Sequence, residues 1–227
     1  EVVERYLDLE RERASGGRAK KVHPFPPSQQ IAPPKARYEA TVEDPQLKQA
    51  VMEACHLPDA QAIWREVTET EPYDVTDGDT PVVQGTGEVR VLSVRVLDGQ
   101  GRPRERFQTG EDLVVAATFR TSEPVTDPIF GVAVFRNDGV YVHGPNSAYD
   151  KVLDGTYKGI YTFFIQWAEL PLLSGHYRIS VAVFDSSHLK PHVWHNQLYD
   201  FEVVQDVEDH GMVLMQHAWG LITHLEE

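Results

Sequence analysis

The chain has 227 residues, 41% of them hydrophobic, which is enough for one sizeable domain with extensions or for two small ones. Its 21 Lys and Arg stand against 35 Asp and Glu, and the net charge of -14 repels phosphate backbones and anionic lipid, so nucleic acid and membrane surfaces are set aside as partners of the folded part. Cys55 is the only cysteine, which excludes an internal disulfide, and no apolar run reaches membrane-spanning length.

The sequence opens on Glu1 rather than Met, shows no signal-peptide pattern, and is expected to be a piece of a longer protein. Residues 1–13 place Val2, Val3, Tyr6, Leu7 and Leu9 on roughly one side of a short amphipathic helix. From Ala14 the composition turns small, basic and proline-rich, with Pro26-Pro27 and Pro33-Pro34, the signature of an extended tether. Leu47, Val51, Met52 and Ala54 recur at helical spacing between Thr41 and Leu57, and a second short helix is expected around Ala60 to Val67. Cys55 and His56 are adjacent and lack a third catalytic group. Asp74 to Asp79 mimics a calcium loop without its closing Glu and is expected to be a polar turn. Residues 14–86 are therefore read as a linker with short helices.

From Gly87 the texture becomes all-β. Val89 to Leu97 is a β-branched run ended by Asp98-Gly99-Gln100-Gly101. After the turn Thr109-Gly110-Glu111-Asp112, Leu113, Val115, Ala117 and Phe119 alternate toward a core. Phe130, Val132 and Val134 form the buried side of a third strand, Asn137-Asp138-Gly139 a hairpin turn, and Tyr141 and His143 are expected on one face of the return strand. Tyr161, Phe163, Ile165 and Trp167 alternate next. The clearest strand is central, with Tyr177, Ile179, Val181 and Val183 alternating against Arg178, Ser180, Ala182 and Phe184. Leu172, Gly175 and Tyr177 before it form the L-x-x-G-x-Y pattern of a tyrosine corner. Tyr199, Phe201 and Val203 mark the final strand. Strands separated by turns, with no intervening helix, predict an all-β immunoglobulin-like or jelly-roll sandwich of two antiparallel sheets over residues 87–204, carrying a helical and Pro-rich N-terminal extension. The apolar tail at 205–227 must be covered or paired, and exchange with a second subunit is one solution.

These residues resemble the C-terminal domain of the ATP-binding subunit of Wzt-type ABC transporters, which export O-antigen and related polysaccharides. The resemblance rests on Thr109-Gly110-Glu111, Phe130-Gly131 with Asp138-Gly139, Asn146-Ser147, the Leu170 to Tyr177 corner, Phe201-Glu202-Val203, and the trailing Gly211-Met212-Val213 and Trp219. Val2 to Leu7 looks like the closing helix of a preceding ATPase domain. No G-x-x-x-x-G-K-[ST] occurs, so the phosphate cradle of that domain is not in this chain, and no cofactor is expected in it; ATP would bind the missing ATPase domain. The resemblance implies a non-enzymatic domain that recognises a cell-surface polysaccharide at the cytoplasmic side of the bacterial inner membrane. It also implies a homodimer joined to a transmembrane permease through the missing ATPase domain. The alternative function is a structural or dimerisation module of the same subunit.

Sugar binding asks for aromatic faces against pyranose rings and planar polar groups for hydroxyls. If the third, return and central strands share one sheet, the outward positions are Gly131, Ala133, Phe135, Tyr141, His143, Arg178, Ser180, Ala182 and Phe184, a shallow trough of small residues beside exposed rings. The loop from Ser186 to Asn196 adds Trp194 as a glycan platform, and its His188, His192 and His195 lack the ordered spacing of a zinc site. Phe135, Tyr141, His143, Arg178, Ser180, Phe184 and Trp194 are thus the candidate carbohydrate contacts, with no catalytic or metal residues. A glycosidase would need a carboxylate pair, and Asp138, Asp150, Asp154 and Asp185 each sit at a turn or strand end.

Overall fold

The computed structural model describes residues 44–55, 73–77 and 80–219. The expected helix at 1–13, the expected tether, the expected helix around Ala60 and the last residues of the tail lie outside that set. In chain order the elements are α1 (Pro45–Ala54), β1 (Tyr73–Asp77), β2 (Thr80–Gly85), β3 (Val89–Asp98), β4 (Arg106–Gln108), β5 (Leu113–Thr126), β6 (Ile129–Arg136), β7 (Tyr141–His143), α2 (Ser147–Asp150), β8 (Thr156–Trp167), β9 (Gly175–Phe184) and β10 (Pro191–Val204). One sheet runs β1-β2-β10-β9-β6-β7, with β4 added in parallel along the far half of β10; the other runs β3-β5-β8.

The alternating residues meet between the two layers. Phe119, Phe130 and Phe163 pack at centroid distances of 4.9 to 6.1 Å, and Ile179, Val181 and Val183 on β9 are fully enclosed. Each such side chain contributes on the order of 1.5–3 kcal/mol of transfer free energy. The two sheets are tied at one end by the corner. Tyr177, stacked on Phe201 at 5.4 Å, donates its hydroxyl to the Leu173 carbonyl at 2.8 Å.

β5 is buried on both faces from Leu113 to Thr121, because α1 covers the outside of its sheet. Asp44 caps α1 by accepting from the Gln46 and Leu47 amides, Pro45 fits the first turn, and Leu47, Val51 and Cys55 settle on Leu97, Val114 and Ala116. Of the polar turn expected at Asp74 to Asp79, Asp74 to Asp77 instead lie in β1, which pairs antiparallel with β2 and lengthens the larger sheet. The sandwich therefore begins before Gly87. At the other end Leu173 donates to the Met212 carbonyl and Leu214 to that of Pro171, so the start of the tail lies along the corner of its own chain.

Candidate functional site

The outer face of the larger sheet is organised by cross-strand register. Ala182 on β9 pairs with Gly131 on β6 and with Trp194 on β10, and Trp194 pairs in turn with Gln84 on β2. Residues directly opposite in a ladder share a face, so Gly131, Ala182, Trp194 and Gln84 form one row. Neighbouring rows on the same face are Ile129–Phe184–Pro191, Ala133–Ser180 and Phe135–Arg178–Asp200. The floor is made of Gly131, Ala133 and Ala182, while Phe184, Trp194, Phe135 and Tyr141 stand around it. Six steps of strand rise separate Arg178 from Phe184, about 20 Å. A Cβ added to Gly131 would meet only the Asn146 Cβ, at 3.8 Å, so the floor is open at that point.

The rings framing this trough are accessible. Tyr141 is 58% exposed and meets Phe135 edge to face at 5.1 Å, while Phe135, Phe184 and Trp194 are half-buried. The Tyr141 hydroxyl lies directly over Gly144, where any Cβ would collide with it. Arg178 is exposed and pairs with Asp200 at 3.3 Å. This pair also lines a groove of about 1250 Å³ that reaches to Val94, Arg95 and Val96 on β3 of the smaller sheet, with Arg104, Arg106, His176 and Glu202.

Three expected contacts are corrected. Tyr141 and His143 do not share a face. One step along β6, from Val134 to Phe135, answers two along β7, so the extra residue is a bulge that turns His143 away from the trough. His143 Nδ1 accepts from the Trp167 indole N–H at 3.0 Å, linking the two sheets at their edge. Ser180 points outward but is buried. β10 takes four steps from His195 to Tyr199 where β9 takes two, and the excess folds over Ser180. The Gln197 amide donates to Ser180 Oγ at 2.8 Å, and Ser180 Oγ donates to Asn196 Oδ1 at 3.3 Å. Trp194 lies on β10 and not in a loop, which puts its indole beside the trough floor.

The neck of this β10 bulge is closed by His195 and Tyr199, whose rings stack at 6.1 Å with Nδ1 and the hydroxyl 2.6 Å apart. Burial pushes His195 below its ordinary value, favouring the neutral ring. The bulge sets Asn196 and Gln197 as planar amides beside the small floor, and Gln84 adds a third in the Trp194 row. Sequence reasoning missed all three. The interruption of alternation by Asn196-Gln197-Leu198 between Trp194 and Tyr199 is the signal for the bulge, whereas nothing local marks Gln84 as a neighbour of Trp194.

A model of the Wzt C-terminal domain matches residues 81–215, more than half of the chain. The chain belongs to the Wzt C-terminal domain family. The solved structure of the C-terminal domain of Wzt superposes with a TM-score of 0.56 at 12% identity, covering 68% of this chain and 90% of that one, and so shares the fold. A CARDB domain from Pyrococcus furiosus, solved in complex with di-metal ions, matches at a TM-score of 0.30 and 15% identity over 52% of this chain and 96% of its own. A Listeria innocua β-glucosidase matches at 0.29 and 12% identity over 52% of this chain and 16% of its own. Neither of these two bears on the function. No curated protein matches the chain. The Wzt C-terminal domain is a non-catalytic accessory domain of an ABC transporter subunit, in a family associated with polysaccharide export.

Proposed function

We propose that the trough on the outer face of the larger sheet binds the polysaccharide that the transporter exports. The observation that carries this is the row Gly131–Ala182–Trp194–Gln84, in which a half-exposed indole stands beside a floor with no side-chain bulk and an amide lies next to it. An apolar sugar face can lie on the floor and against the indole, while Gln84, Asn196 and Gln197 offer planar donors and acceptors to hydroxyls. Phe135 with Tyr141 at one end and Phe184 at the other would hold flanking sugars. In this reading the domain selects cargo at the cytoplasmic face of the inner membrane, as a homodimer attached through its ATPase domain to the permease.

Calorimetric titration of the protein with delipidated surface polysaccharide of the source organism tests the proposal. Binding that falls at least tenfold in Trp194→Ala and is unchanged in Met52→Ala, on the exposed side of α1, supports it; absence of binding to the wild type refutes it. A dimerisation role is favoured by one separate observation, the exposure of Met215 and of Trp219, the latter 92% accessible. Sedimentation of a chain ending at Leu214 distinguishes that role from glycan recognition.

A further inference from the structure

Beyond the Phe184 end of the trough, two loops meet through one pair of rings. Tyr149 stacks on His188 with centroids 5.8 Å apart and planes 26° from parallel, although Tyr149 is 73% exposed. Isolated exposed rings are common on protein surfaces, but both members of this pair are held in place. Asn146 bridges to Gly131, on the trough floor, and its side chain accepts from the Tyr149 amide at 2.9 Å, which fixes the turn carrying the ring. Lys151 closes that turn at φ 58°. His188 itself sits at φ 62°, and the loop around it is drawn together by Asp185, which accepts from the Ser187 hydroxyl and the Leu189 and Lys190 amides. Side chains avoid the left-handed region unless their surroundings impose it, so these loops are set to present the pair.

The placement gives the pair a direction. Tyr149 comes from the β6 side and His188 from the connection between β9 and β10, so together they lie past the row Ile129–Phe184–Pro191. Asp150 and Asp185 are offset by the neighbouring Lys151 and Lys190, which leaves no net charge to attract a carboxylate or phosphate. A flat aromatic surface in line with a sugar trough suits one more pyranose.

We propose that Tyr149 and His188 form a second sugar-stacking station, resting on the trough as the primary site, which engages an uncharged pyranose further along the same glycan and makes affinity depend on chain length. The test uses the full chain, delipidated surface polysaccharide of the source organism, and mild-acid fragments of that polymer graded by length, read by calorimetry. Tyr149→Ala is expected to weaken whole polymer about five-fold and leave the shortest bound fragment unaffected, and Tyr149→Phe, which keeps the ring, to restore most of the loss. Trp194→Ala weakens polymer and short fragment alike. Wild-type affinity of Tyr149→Ala for polymer overturns the station and leaves the trough standing, and so does an equal loss at every fragment length. Failure of the wild type to bind any fragment or the polymer removes the trough and the station together. Co-sedimentation with phosphatidylethanolamine–phosphatidylglycerol vesicles that Tyr149→Ala abolishes assigns the pair to lipid and also overturns the proposal.

Discussion

The hydroxyl of Thr109 donates to the carbonyl of Leu172 at 2.7 Å across 63 positions of sequence. Two sequence signatures of the family are thereby one structure. The Thr109-Gly110-Glu111 turn also donates from Gly110 to the Leu170 carbonyl and accepts at Glu111 from the Leu170 amide, while Tyr177 holds the next carbonyl, that of Leu173. Two adjacent carbonyls of the corner are thus each held by a side-chain hydroxyl.

Removing either hydroxyl leaves a partly or fully buried carbonyl without that donor, at a cost of about 1–3 kcal/mol. Thr109→Val and Tyr177→Phe are each expected to lower stability by that amount in urea titrations. Because both act on one short segment, the double variant is expected to be non-additive by at least about 0.5 kcal/mol.

The trough floor can be filled without disturbing the sandwich. Gly131 lacks a left-handed φ and has room for a Cβ, so Gly131→Ala is expected to match or exceed wild-type stability by up to about 1 kcal/mol. Gly131→Val raises the floor beneath the Trp194 row and is expected to lower polysaccharide affinity at least tenfold with the melting temperature retained. Unchanged affinity in Gly131→Val would place the ligand elsewhere.

Docking of α1 is reported by Cys55, whose thiol burial pushes above its ordinary value, with opposing contributions from Thr118 and Arg95. At 5% exposure it is expected to react with Ellman's reagent far more slowly than a free thiol, since the thiolate is the nucleophile. Gly101 holds φ +78°, and a Cβ there would stand 2.5 Å from that of Ala50 on the helix. Gly101→Ala is expected to lift α1 and accelerate Cys55 labelling before any global loss of β-sheet signal.

The neutral His195 under the β10 bulge makes a pH prediction. Its native value lies below that of the unfolded chain, so the unfolded state takes up the proton first as pH falls. The contribution of His195 is present in full above about pH 6.5 and declines below it until the native ring titrates. His195→Phe is expected to lack this component, so that the stability difference between wild type and variant shrinks or reverses from pH 7 to pH 5. A difference independent of pH would contradict the neutral assignment.

What could be read from sequence was whatever depends on neighbours within a few residues. Alternation marks Tyr177, Ile179, Val181 and Val183 as core, Asn137-Asp138-Gly139 forms the turn its residues predict, with Gly139 at φ +87°, and the corner pattern gives the Tyr177 hydroxyl its partner segment. Outward positions on β6 and β9 followed, because a strand that buries one side of a residue series must present the other. Register between strands is a different kind of information. One extra residue in β7 sends His143 to Trp167 while Tyr141 stays beside Phe135, and two in β10 bury Ser180 beneath Gln197. The same long-range pairing moved Trp194 onto the trough and placed Gln84 next to it, 110 positions apart in the chain. A bulge is a local change of count that matters only through the strand opposite, and a covering helix such as α1 is chosen by a surface assembled from Leu97, Val114 and Ala116 on two strands. On β6 and β9 the sequence determined which side chains face out; the packed sheets decided which of those stay accessible, and on β7 which way His143 turns.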